Sequence, residues 1–194
     1  MSDRPSGILF VCTGNVCRSP YMEFRLRAML EAASAGPLTV SSAGTRALEG
    51  HPMADTLRQR LGSQGIDASD FRARRLTADA LHAAALVVTA TREHRHHVVR
   101  DGGSDLAERT FTLAQLARLL GAADSSGREN AAGAGAVGDL VSDALSARGR
   151  GWGGALGDDD LDDPWQRSRR RYRRVAERID QLLIPIAERL TARG

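Results

Sequence analysis

Apolar and polar positions follow two periods along this chain. Ile8-Leu9-Phe10-Val11 and Leu86-Val87-Val88-Thr89-Ala90 are short unbroken apolar runs, which read as strands buried on both faces. Stretches near 38–43 and at Thr110-Phe111-Thr112 add a second and a fourth strand. Between these the period lengthens to that of a helix. Met22, Leu26, Met29, Leu30 and Ala33 mark one after the first strand, running to about 35, and another covers roughly 53–63. Thr91 caps a further helix that runs to about Arg100. Near the C-terminus Tyr172, Val175, Ile179, Leu182, Leu183, Ile186 and Leu190 fall on one side of a long helix. Strands alternating with helices predict an α/β fold: a single doubly wound domain over 1–194 with a four-stranded parallel sheet flanked by helices. Any ligand would sit at the C-terminal ends of the strands.

One stretch breaks the rhythm. Residues 121–157 are rich in Gly, Ala and Ser and read as a flexible insertion. Within it Val137, Leu140, Val141, Ala144 and Leu145 have helical spacing, enough for a short amphipathic helix that could close as a lid.

The junction of the first strand and first helix carries the chemistry. It reads Cys12-Thr13-Gly14-Asn15-Val16-Cys17-Arg18-Ser19-Pro20. A tight loop ending at a helix N-terminus aims consecutive backbone N–H groups at one point, together with the positive end of the helix dipole. Gly14 supplies the positive φ such a curl needs, and Asn15 tolerates the left-handed region better than most residues. Arg18 adds a planar, permanently charged fork for two phosphate oxygens. The residues from Thr13 to Ser19 are therefore the expected phosphate-binding set. The same positive field favours the thiolate of Cys12, the expected nucleophile, and the hydroxyl of Ser19 can donate to that sulfur. A buried structural cysteine at a strand end is the alternative reading.

The stretch Val11–Pro20 resembles the signature loop of the low-molecular-weight protein tyrosine phosphatases. Further pieces resemble the same family: Ser42-Ala43-Gly44-Thr45, Gly65-Ile66-Asp67 with Arg72-Ala73-Arg74, Thr91-Arg92-Glu93-His94, and Asp163-Pro164-Trp165. The resemblance covers nearly the whole chain outside 121–160. It implies hydrolysis of phosphomonoesters, foremost protein phosphotyrosine, through a phosphocysteine on Cys12. Asp163 would then protonate the leaving oxygen and later deprotonate water. By sequence alone Asp163 is equally a helix N-cap with proline at the first helical position, and Asp162 is a second candidate acid. Trp165 would form an aromatic wall for the substrate ring, whereas Arg46-Ala47-Leu48-Glu49, where eukaryotic relatives place a second, has no aromatic residue. Cys17 either packs the loop or captures an oxidised Cys12 as a reversible disulfide, as in family members with this second cysteine. Related arginine phosphatases place a threonine where this chain has Val16, and valine cannot hydrogen-bond a guanidinium. Related arsenate reductases need cysteines outside the loop, and this chain has none there.

Composition narrows the remaining classes. At 194 residues and 42% hydrophobic content the chain can bury one core without disulfides, and both of its cysteines lie in the loop. No apolar run is long enough for a membrane span, and Met1–Ser6 lacks a signal-peptide pattern. These features predict a cytoplasmic enzyme, monomeric or weakly oligomeric, that meets neither membrane nor nucleic acid. All 27 basic residues are arginine and the net charge is only +3. The cluster from Arg167 to Arg174 reads as a solvated helix face beside the acidic run Asp158–Asp163. A binding module that uses loop and cluster without turnover is the non-enzymatic alternative. His94, His96 and His97 lack the spacing of a zinc pair and read as surface residues, so no metal or cofactor is implied.

Overall fold

The computed structural model describes residues 7–122, 134–150 and 159–191. Four strands, β1 (Ile8–Cys12), β2 (Val40–Gly44), β3 (Leu86–Thr89) and β4 (Thr110–Thr112), form one parallel sheet in the order β2-β1-β3-β4. The helices are α1 (Arg18–Ala32), α2 (Asp55–Gly62), α3 (Ala78–Ala83), α4 (Arg92–Gly102), α5 (Leu113–Ala122), α6 (Ala134–Gly149) and α7 (Arg169–Thr191). Every residue of β1 is buried, as the unbroken run requires of a central parallel strand. Its side chains alternate between two cores. Ile8, Phe10 and Cys12 face the large one with residues of α1, α5, α6 and α7, while Leu9 and Val11 meet Leu81 and Val98 from α3 and α4. Because β1 has β2 on one side and β3 on the other, the order reverses at its C-terminal end, where such folds open a crevice.

The seven apolar residues expected on one side of the C-terminal helix are all buried in α7. Thr91 caps α4, its hydroxyl accepting from the His94 amide. Three expectations change. α3 and α5 were not legible from the pattern. Part of the segment expected to be mobile is a packed element, since α6 buries Val137, Leu140, Ala144 and Ala147 in the main core. It is fastened to α7 by Arg189 on Asp143 at 2.6 Å and to β4 by Arg148 stacked 4.3 Å from the Phe111 ring. None of the described residues of α6 lines the pocket below. The rest of the expected insertion, 123–133 and 151–157, lies outside the described residues.

Candidate active site

The loop leaves β1 at Cys12 and enters α1 at Arg18, with Cys17 in the N-cap position. Its carbonyls are turned outward and pinned: Cys12, Thr13, Gly14 and Val16 accept from the amides of Thr45, Arg46, Leu48 and Ala54 at 2.8–3.0 Å. The amides of Gly14, Asn15, Val16 and Cys17 donate to no carbonyl among the described residues. They form the concave set of donors that an anion requires. The positive φ falls on Asn15, at 52°, and not on Gly14, so the asparagine makes the turn. Gly44 is required from outside the loop, because a Cβ there would meet the Thr13 carbonyl at 2.5 Å and Asn15 Cβ at 3.0 Å.

Asn15 can hold that backbone because its side chain is fully used. Oδ1 accepts from the Arg74 amide at 2.8 Å, and Nδ2 donates to Ser42 Oγ at 2.8 Å and to Ser19 Oγ at 2.9 Å. The Ser42 hydroxyl donates to Glu23, a buried carboxylate that also pairs with Arg27 and Arg74. Ser19, already an acceptor, has its hydroxyl proton left for Cys12 Sγ at 3.0 Å, with the Ala43 carbonyl a longer alternative at 3.4 Å. Asn15 and Ser19 are thus buried braces outside the cavity, while Thr13, Gly14, Val16, Cys17 and Arg18 line it with Cys12.

Arg18 is only 4% exposed. One terminal nitrogen donates to the Leu161 carbonyl at 3.1 Å, the other meets Asp163 Oδ2 at 2.9 Å, and Nε is buried with no hydrogen bond among the described residues. Asp163 is half exposed and its other oxygen accepts from the Trp165 amide, a local Asx turn. It is not a helix cap, since α7 starts only at Arg169, after Gln166 has taken a positive φ of 56°. Asp162, the second candidate, is turned away onto Arg171. Trp165, 39% exposed, closes one side of a cavity of about 150 Å³, and Arg46 and Leu48 supply the aliphatic and cationic remainder of the wall.

Two groups behave differently from what their positions suggest. Burial, with Cys12 next in importance, pushes the Cys17 thiol up to about 12, and its Sγ lies 4.0 Å from the Tyr172 hydroxyl. His94 is not a surface residue. It is buried, with Nε2 2.8 Å from Thr13 Oγ1 and Nδ1 2.6 Å from Thr91 Oγ1. Desolvation first, then the Arg18 charge, bring its pKa down to about 4, so the imidazole is neutral. Thr91 already accepts from the His94 amide, and the tautomer assigned from this pattern has Thr91 donating to Nδ1 and Nε2–H donating to Thr13. His96 is exposed and His97 pairs with Asp101.

Residues 7–127 match the profile of the low molecular weight phosphotyrosine protein phosphatases. The chain belongs to this family. A protein-arginine-phosphatase of Geobacillus stearothermophilus is 35% identical over 112 residues, 58% of this chain and 72% of that protein. The probable low molecular weight protein-tyrosine-phosphatase EpsP of Ralstonia solanacearum is 40% identical over 81 residues, 42% of this chain and 52% of EpsP. The chain thus spans about half the length of the first curated relatives it matches. The low molecular weight protein tyrosine phosphatase of T. tengcongensis superposes with a TM-score of 0.67 at 26% identity, covering 94% of this chain and 98% of that one. Asp163 lies beyond the residues matched to the phosphatase profile, so its place in the site rests on the contact with Arg18.

Proposed function

We propose that this chain hydrolyses phosphomonoesters, protein phosphotyrosine foremost, with Cys12 as nucleophile, Arg18 and the loop amides as phosphate cradle, and Asp163 as acid and base. One observation carries the reading: Cys12, the turned-in amides and the buried Arg18 converge on the cavity where Asp163 also stands. In the first step Cys12 Sγ attacks phosphorus, an S–P bond forms, the P–O bond to the substrate breaks, and the departing oxygen takes the Asp163 proton. In the second, water attacks phosphorus and gives its proton to Asp163. The S–P bond breaks, returning thiolate and releasing inorganic phosphate. Ser19 eases that return by donating to the sulfur.

The Arg18–Asp163 contact fits the same sequence of events. A phosphate dianion that takes over the Arg18 fork releases Asp163 and leaves its carboxyl free to reach the leaving oxygen. Trp165 offers a flat face to a phenyl ring. A second reading, phosphoarginine, draws on the likeness to the arginine phosphatase, but Val16 lines the cavity with no hydroxyl to offer a guanidinium. Cys17 is the proposed partner for an oxidised Cys12, and the reducing cytosol is the compartment that suits such a thiol pair. No helix among the described residues is long and apolar enough to cross a membrane.

Peptides carrying phosphotyrosine, phosphoserine or phosphoarginine, offered to wild type and Cys12→Ser, test the proposal. Phosphotyrosine turnover by wild type and none by the variant is expected. Preference for phosphoarginine would install the second reading, and turnover by Cys12→Ser would end the mechanism.

A further inference from the structure

Six of the eight positions from Arg167 to Arg174 are arginine, against 27 in the 194 residues of the chain. Sequence adjacency suggests that the aspartates just before them supply the counter-charge. The fold spends those carboxylates elsewhere. Asp159 pairs with Arg118 on α5, Asp160 with Arg92 at the start of α4, and Asp163 with Arg18. Among the described aspartates of the run only Asp162 turns back, onto Arg171. Arg167, Arg169, Arg170, Arg173 and Arg174 are exposed and make no ion pair among the described residues.

Helical geometry gathers four of these five onto one face. At 3.6 residues per turn Arg169, Arg170, Arg173 and Arg174 share a sector of about 140°, turned away from the buried row of Tyr172, Val175 and Ile179. Glu177, Asp180 and Glu188 fall in the same sector, but Asp180 is paired with Arg25 and Arg60 and Glu188 lies about four turns beyond Arg174, so the first turns of the face stay strongly positive. It also begins at the pocket. Arg169 follows Trp165, which lines the cavity, by four residues, at most about 14 Å of extended chain. The Arg167 amide donates to the Pro164 carbonyl at 3.0 Å and folds this connection back on itself. Arg169 and Arg173 further line a groove of about 290 Å³ with Arg60 and Tyr172, the same tyrosine that the Cys17 thiol reaches from the pocket floor.

We infer that the arginine face of α7 is a docking surface for acidic residues flanking the phosphorylated side chain of a protein substrate, an inference that rests on the phosphatase reading above. Guanidinium forks suit carboxylates, and each exposed pair is weak, so the surface acts through number. Such contacts form equally in the bound and the transition state, so they lower KM and leave kcat alone. They also fade with salt.

The test uses two phosphotyrosine peptides of equal length, one with Asp and Glu flanks and one with Asn and Gln, beside p-nitrophenyl phosphate, which is too small to reach α7. Wild type is expected to favour the acidic peptide about tenfold in kcat/KM at low salt, through KM, with the preference gone at high salt. The combined variant Arg169→Gln, Arg170→Gln, Arg173→Gln, Arg174→Gln is expected to lose the preference while turning over p-nitrophenyl phosphate as wild type does. Equal KM for the two peptides in wild type, or a parallel loss on the small substrate, overturns the inference. Wild type inert toward all three substrates defeats the phosphatase reading instead. In that case fluorescence anisotropy of the unphosphorylated acidic peptide decides the docking surface, with binding to wild type and none to the variant expected and equal binding overturning it. A random DNA duplex that displaces the acidic peptide at lower concentration than the peptide itself assigns the face to nucleic acid and also overturns the proposal.

Discussion

His94→Gln removes the brace that α4 applies to the loop, together with its titratable imidazole. The native imidazole is held at a pKa of about 4, against the ordinary 6.5. Between these values the unfolded chain binds a proton at this position and the folded chain does not, so stability rises with pH across the window. The contribution is complete above pH 6.5 and lost as the pH falls to about 4. The separation of about 2.5 pH units, at about 1.4 kcal/mol each, amounts to roughly 3.5 kcal/mol, of which about 3 kcal/mol is lost by pH 4. Glutamine does not titrate, and it cannot span both Thr13 and Thr91, so at neutral pH the variant is expected to be about 1–2 kcal/mol less stable. Urea unfolding of both proteins from pH 8 to 4 reads the difference, in which the carboxylates common to both cancel. The advantage of wild type should shrink by about 3 kcal/mol on acidification to pH 4 and change sign between about pH 5 and 6. A difference that stays constant with pH, or grows as the pH falls, refutes the reasoning, for it would mean that the folded state carries a charged imidazole beside Arg18.

Asp163→Asn is expected to lower kcat about 10²- to 10⁴-fold, and more for phenyl phosphate than for p-nitrophenyl phosphate, whose leaving group needs less help from an acid. Steady-state rates on the two esters check this. Asn15→Ala deletes three hydrogen bonds and replaces asparagine at a φ of 52° with a residue that tolerates the left-handed region less well, and urea unfolding should show a loss of about 3 kcal/mol or more. Asn15→Gly should recover the share due to backbone strain and none of the hydrogen bonding. Cys17→Ser should leave p-nitrophenyl phosphate turnover near wild type but make peroxide inactivation irreversible to dithiothreitol, as measured by activity recovered after reduction.

The β1–loop–α1 unit was legible because every signal in it is local: an unbroken apolar run, a short curl, a helical period. α7 was legible for the same reason, with seven apolar residues on one side. α5 was hidden by its own apolarity. Leu113, Leu116, Leu119 and Leu120 follow the strand residues Thr110-Phe111-Thr112 without a polar break, and its start is marked only by the Thr112 hydroxyl accepting from the Gln115 amide. His94 was misread because metal spacing was the wrong question. The threonine three residues before it marks a cap, and its partner Thr13 lies 81 residues away. The chain of Asn15, Ser42, Glu23 and Arg74 shares that difficulty, since a contact across tens of residues leaves no trace in local pattern. Gly14 looked like the hinge because glycine is the default for positive φ, yet asparagine took the strained position and gained three partners there.

The strip Asp159–Asp163 is sewn to α5, α4, the end of β3, α7 and the loop by successive residues, Leu161 through its amide on the Ala90 carbonyl at 2.9 Å. Such a seam works as a strain relief, the way a cable is clamped just before its plug. A disturbance that enters the strip at Asp159 meets four attachments before it reaches the carboxyl, so the station of the acid is insulated from changes elsewhere along the strip.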